Sequence, residues 1–192
     1  MKRILFTMVS YSSPKKGDDG LYFVNTTSEE GLVLVQLNNV NMNDISDDIT
    51  FDLNSETNIN KIDAFDKGNM DQATTNQEEW FGRKISKNVI ERAYVRSVNN
   101  SQITGELIDA TKIFNQGNEL VDREYLQVGK KCNILLELNG IWFAKKTFGP
   151  SWNVVQVKVF DDPEPEPEPE PESTVTSKNY PDQYALIDED DQ

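Results

Sequence analysis

The chain has no histidine and only one cysteine among its 192 residues. Without imidazole, neither a Ser-His-Asp nor a Cys-His arrangement can be built, and zinc sites made of imidazole and thiolate are excluded too. Only carboxylate-based chemistry is left, such as magnesium held by aspartates. The single cysteine, Cys132, cannot form an intrachain disulfide, which fits a reducing compartment. It lies in the apolar run "CNILLEL" and reads as a small buried hydrophobe. Long hydrophobic runs are missing as well. The longest near the start, "ILFTMV" from Ile4 to Val9, is too short for a signal-peptide core or a bilayer span and reads as a first strand. The expectation is an intracellular protein that is not secreted and has no membrane partner. Apolar residues make up 36% of the chain, low for a compact globule, so part of it is expected to lie outside any core.

Acidic charge is abundant but unevenly placed, within a formal net charge of -14. Residues 1–79 hold fourteen acids against six bases, and residues 161–192 hold twelve acids against one base, Lys178. Residues 80–160 reverse the sign, with twelve bases against seven acids. A basic segment inside an acidic protein can mark a polyanion-binding surface. The length suits one main domain plus an appendage. Residues 161–172 form an alternating Pro-Glu tract, because proline blocks helix and sheet pairing and like charges resist collapse. It is expected to be an extended spacer. Residues 173–192 are then a disordered acidic tail. In it Tyr184, Leu186 and Ile187, beside Asp188, Glu189, Asp190 and Asp191, suggest a tethered peptide for a partner rather than a merely solvating end.

Residues 1–160 read as one mainly β domain. "LYFVNT", "GLVLVQL", "ITFDL", "CNILLEL", "IWFAKK" and "WNVVQVKVF" are short runs rich in branched and aromatic residues, separated by Asn, Gly, Asp and Ser. One short helix is expected over residues 86–96, with Val89, Ile90 and Ala93 inward. Residues 42–49 read as a helical turn or loop, and residues 63–79 as a mobile loop. The pattern predicts a small closed or half-open barrel, with a sandwich as the competing architecture.

The stretch "NGIWFAKKTFGPSWNVVQVKVF" carries most of the aromatic and basic signal. Asn139-Gly140 is a hairpin signal, and Gly149-Pro150 read as a chain reversal from which Phe148 projects. Alternation groups Ile141 with Phe143 as core and puts Trp142 and Lys146 outside. It also groups Val155, Val157 and Val159 as core and puts Trp152 outside with Lys158. Aromatics interleaved with lysines on one face are the parts of a stacking platform for single-stranded nucleic acid. Each aromatic taken alone reads as core or rim packing; the group, with Lys145 and Lys146, reads as a binding surface. A second basic-aromatic group lies at "EWFGRK". Two competing classes remain. One is a non-catalytic protein-interaction module with an acidic tail. The other is a metal-dependent nuclease or phosphatase using Asp44, Asp47 and Asp48, whose acids lack an accompanying lysine or second carboxylate strand.

"EEWFGRKIS", followed by "NGIWFAKKTFGPSWNVVQVKV" and an acidic C-terminus, resembles the single-stranded-DNA-binding proteins of large nucleocytoplasmic DNA viruses. Those look distantly like the replication-fork single-strand-binding proteins of podophages. The resemblance covers residues 80–160 and the style of the tail. It implies an OB-fold core with no enzymatic activity and no cofactor or metal. It also implies sequence-tolerant binding of single-stranded DNA in viral replication and recombination, at replication sites in the host cytoplasm or nucleus. Assembly into a homo-oligomer stays open. Carried onto this chain, the DNA-facing role falls on Trp80, Phe81, Arg83, Lys84, Trp142, Lys145, Lys146 and Trp152. The reading of the hairpin adds Phe148 and Lys158. The acidic tail would compete with DNA and recruit polymerase or helicase. Tyr184 would supply the aromatic that such tails place after their acids.

Overall fold

The computed structural model describes residues 8–161. The expected strand over residues 4–9 falls mostly before them, and the Pro-Glu tract and the tail lie outside them. In chain order the strands are β1 (Ser10–Tyr11), β2 (Lys15–Lys16), β3 (Tyr22–Thr27), β4 (Leu34–Ile45) and β5 (Asp48–Asp52). Three helices follow: α1 (Glu56–Thr75), α2 (Gln77–Phe81) and α3 (Lys87–Ala93). Strands β6 (Val98–Asn99), β7 (Gln102–Glu106), β8 (Lys112–Phe114), β9 (Leu120–Val121), β10 (Lys131–Phe143) and β11 (Phe148–Val159) complete the chain.

The strand pairings close a ring. β4 pairs β5, β5 pairs β7 and β10 pairs β4, all antiparallel, while the long β10–β11 hairpin supplies the other wall. Closure comes from a parallel pairing between β11 and β7, at Asn153 opposite Glu106. In ring order β4-β5-β7-β11-β10 this is the five-stranded Greek-key barrel of the OB type. Its interior is filled from every wall, by Leu37 and Met42 of β4, Ile49 and Phe51 of β5, Ile103 of β7 and Leu136 of β10 among others. Cys132 is fully buried there, and burial pushes its thiol up to about 12.

Several local expectations change. Residues 42–49 are the end of β4 and the turn into β5, not a helical turn. Residues 63–79, read as a loop, are the larger part of helix α1 and the start of α2. Ser55 caps α1 by accepting from the Asn58 amide, and the helix turns Asn58, Ile62, Asp66, Asn69 and Ala73 inward. Three of those five are polar, so the stripe does not look apolar although its spacing is helical. In α3, Ile90 is buried as expected, whereas Val89 faces solvent.

Asn139-Gly140 does not turn the chain. It lies inside β10 at a shift of register between Leu138 and Gly140, where Asn139 is the extra residue of a bulge. A Cβ on Gly140 would overlap the carbonyl oxygen of Val24 and the ring of Phe23, so the glycine is required by the close approach of β3. The reversal comes later, at Ala144–Thr147, where the Ala144 amide donates to the Thr147 carbonyl at 2.8 Å. Gly149 and Pro150 are part of β11.

A second bulge, at Val155, shifts the phase of β11: Leu135 faces Gln156 and Leu136 faces Val154. Trp152 and Val154 therefore point inward before it, and Val157 and Val159 after it. Trp152 is thus a barrel residue and not a member of the polar face.

Beyond the barrel, the tip half of the hairpin is covered by β3 on its free edge and by the helices on its inner face. This makes a second core around Val24, Ala73, Trp80, Ile90, Tyr94, Ile141 and Phe148. Gly140→Ala is expected to destabilise the protein by about 3 kcal/mol, at the upper end of overpacking costs. Urea denaturation would measure this; a loss below about 1 kcal/mol would mean that β3 can move away freely.

Candidate nucleic-acid interface

The predicted site residues divide between the two faces of the hairpin ribbon. On the inner face, the aromatics of "EWFGRK" dock on the hairpin. Trp80 meets Phe143 edge-on at 5.7 Å, Phe81 meets Phe148 at 5.2 Å, and Phe143 stacks on Phe148 at 5.6 Å. Tyr11 and Tyr94 complete this cluster. Trp80 is 8% exposed and Phe148 2%, so neither offers a face to a base. Trp80 and Phe148 hold the helices on the barrel, and packing takes the place of the DNA-facing role expected of them; half-buried Phe81 packs on Phe143 and Phe148 beside them. Trp152, 5% exposed, meets Phe65 edge-on at 5.6 Å inside the barrel.

Arg83 and Lys84 follow α2 on that same side, and Lys84 pairs with Glu78 at 3.7 Å in solvent. Lys158 lies near the other end of β11 and donates to Asn118 Oδ1 at 2.7 Å. Twelve residues separate it from Lys146, about 40 Å of extended chain. The lysines expected to act together are therefore apart.

The outer face holds what remains. Cross-strand partners share a face, and the register reads Lys15–Phe23–Trp142–Gly149 across β2, β3, β10 and β11. Trp142 and Phe23 are half-buried, and Lys15 is exposed. The Trp142 indole lies over Gly149, where a Cβ would sit 3.0 Å from its ring, and its Nε1 donates to the Pro150 carbonyl at 3.1 Å. The ring is therefore fixed before any ligand arrives. The same ribbon end carries exposed Lys16 on β2 and exposed Lys145 and Lys146 at the hairpin tip. Phe23, Lys15 and Lys16 escaped the sequence reading because they lie in the acidic half of the chain. Only the pairing of β3 with β10 brings them to Trp142.

From Trp142 a cleft of about 350 Å³ runs to the exposed face of β5 and β7. Thr50, Thr104, Gln102, Asn99, Arg96, Val95 and Pro150 line it, with edges of Ser97 and Trp152 at its floor. It sits where β7 and β11 splay apart and the segment 94–97 fills part of the gap, its Val95 amide donating to the Phe148 carbonyl at 2.8 Å. Thr50 and Thr104 face each other across β5 and β7 with hydroxyls 2.8 Å apart.

Beneath the cleft is a buried polar chain. Asp66 of α1, fully buried, accepts from the Tyr94 hydroxyl at 2.8 Å, the Ser97 hydroxyl at 2.6 Å and the Ser97 amide at 2.8 Å. Trp152 Nε1 donates to the Ser97 hydroxyl at 2.9 Å. On the other side Asn69 donates to the Tyr94 hydroxyl and accepts from Tyr11. Burial lifts the Asp66 carboxyl above its ordinary range; the three donors oppose the rise and Asp63 adds to it. Burial also raises the Tyr94 and Tyr11 hydroxyls, so both stay neutral donors.

Among the described residues, no three His, Cys, Asp or Glu side chains gather in a way that could hold a metal ion. Asp44 is the last but one residue of β4, Asp47 is in the turn and Asp48 begins β5.

Residues 38–188 match the model of a family described as of unknown function, DUF5871. The chain belongs to that family. No curated protein matches it in sequence. Among solved structures, it is similar to the single-stranded DNA-binding protein of bacteriophage Enc34. The C-terminally truncated form matches at 12% identity and a TM-score of 0.49, over 81% of this chain and 98% of that one. The form in complex with ssDNA matches at 13% and 0.46, over the same shares. A third structure of that protein matches at 12% and 0.47, over 84% of this chain and 95% of that one. These are loosely similar courses of the backbone. The barrel of this DUF5871 member is defined by its own strand pairings.

A raised Asp66 carboxyl means that the folded state binds the proton more tightly than the unfolded chain. The stability this contributes is fully present below the unfolded value of about 3.9 and is lost as pH rises through the folded value. Asp66→Asn removes the titration. Denaturant unfolding from pH 4 to 8 is expected to show the wild type losing stability relative to Asp66→Asn as pH increases; a constant difference would show that Asp66 ionises in the fold as readily as outside it.

Proposed function

We propose that this protein binds single-stranded DNA without sequence preference, on the outer face of the β10–β11 ribbon and in the adjoining cleft. The observation that carries this reading is the register Lys15–Phe23–Trp142. It sets a pre-oriented indole and a second aromatic between lysines at one end of an OB-type barrel. Bases stack on such rings for about 1–3 kcal/mol each, while cations follow the phosphates. Lys15, Lys145, Lys146 and Arg96 supply the cations, with Lys16 at the same ribbon end on the other face of β2. The β5–β7 face, where OB barrels take oligonucleotides, supplies the polar wall of the cleft. The action is non-catalytic.

In the same reading the acidic tail competes with DNA for the lysines and, once displaced, recruits replication proteins such as polymerase or helicase through Tyr184 to Asp191. Tethering holds the tail at a local concentration on the order of millimolar. These roles place the protein at intracellular sites of DNA replication and recombination.

Two measurements test the reading. Tryptophan fluorescence titrated with dT oligomers is expected to quench in the wild type. Trp142→Ala should weaken binding about tenfold, as the loss of one stacked base requires. Lys145→Ala with Lys146→Ala should flatten the slope of log K against log salt by about 1.4, at about 0.7 for each phosphate that is no longer neutralised. Absence of dT binding by the wild type would overturn the reading in favour of a protein-interaction module. Separately, a chain ending at residue 161 should bind dT more tightly than the full chain, by several-fold at low salt. Equal affinity would remove the competing role of the tail.

A further inference from the structure

The face beside the cleft has the wrong sign for phosphate. Asp44 is the cross-strand partner of Thr50, which faces Thr104; one step along, Asp48 faces Glu106 directly. Asp52 lies on the same face at the other end, accepting from Asn43 and Gln102. None of β4, β5 or β7 contains a lysine or arginine. Arg123, donating to the Ser46 carbonyl, adds one cation at the β4–β5 turn. Both ion pairs among the described residues, Lys84–Glu78 and Lys87–Glu91, lie elsewhere. Like charges placed directly opposite each other on a sheet cost stability, and Asp48–Glu106 is such a pair. Asp44, Asp48 and Glu106 are all exposed, so packing does not call for a carboxylate at any of them.

We infer that Asp44, Asp48 and Glu106 are specificity determinants that exclude duplex DNA from the Trp142 cleft. The inference rests on the single-strand reading given above. A single strand can set its phosphates along Lys15, Lys145 and Lys146 and turn only neutral bases toward the threonines. A duplex presents phosphates on both sides of its base pairs. Seated on the same lysines, it would bring its second backbone over the three carboxylates, where like charges repel. The acidic wall thus also orients the single strand, bases toward β5 and β7 and phosphates toward the hairpin tip.

The test is the full chain carrying Asp44→Asn, Asp48→Asn and Glu106→Gln, three exposed and nearly isosteric changes. Fluorescence anisotropy would compare a dT 30-mer with a blunt 30-base-pair duplex at low salt, for wild type and variant. Duplex affinity is expected to rise about tenfold and dT affinity by less than about threefold, with the difference shrinking as salt screens the wall. An equal rise for both ligands would show only a general charge effect and overturn the inference, as would an unchanged duplex affinity. If the wild type binds no dT at all, the single-strand reading itself fails, which this comparison separates from failure of the wall. Unfolding of the variant at the same or higher denaturant confirms that the fold is intact.

Discussion

A buried carboxylate in the middle of helix α1 organises the site. Asp66 accepts two hydrogen bonds from Ser97 and one from Tyr94, and so fastens the segment between α3 and β6 to the helix. That segment carries Val95 and Arg96 into the cleft, and its Ser97 holds the Trp152 indole at the floor. Leaving these donors unmet would cost about 1–3 kcal/mol apiece, so the carboxylate is tolerated in the interior because its partners are fixed around it. The helix is inserted between the second and third strands of the ring, and this polar chain couples it to the barrel together with the packing of Ile62 and Phe65 in the core.

The ribbon shows how packing and function divide one pair of strands. Its inner face is used up by Trp80, Phe81, Phe143 and Phe148, which build a second core outside the barrel. Because that core holds the ribbon, the outer face can leave Trp142 and Phe23 half-exposed without the hairpin fraying. The charge is divided as well, with lysines at the ribbon end and carboxylates on the neighbouring β4–β5–β7 face.

Much of the barrel was legible in the sequence, because β5 and β10 are runs whose burial alternates as their hydrophobicity does. The outward placing of Trp142 was legible for the same reason, by its opposite parity to Ile141 and Phe143. What failed has physical causes. Helix α1 hides because its inner stripe contains Asn58, Asp66 and Asn69, each with a hydrogen-bond partner that only the tertiary structure provides. Trp152 was assigned to the wrong face because one extra residue, Val155, reverses the parity of β11. Asn139-Gly140 resembled a turn, but the glycine answers to the approach of a third strand. Phe23 and Lys15 belong to the site only through long-range pairing, which no local pattern encodes.

The two bulges have a consequence for how the gene of such a protein can vary. β10 takes up one extra residue at Asn139, between the barrel core and the second core, and β11 takes up one at Val155, within the barrel core, so the inward residues change from even to odd numbers at each. Substitution at either position can be silent, because the extra residue pairs with nothing. Loss of one codon there can be silent too. Leu138 would then adjoin Gly140, or Val154 would adjoin Gln156, and every other pairing and every inward side chain would stay as it is. The bulges are the places where these two strands can change length by one residue without turning a side chain over.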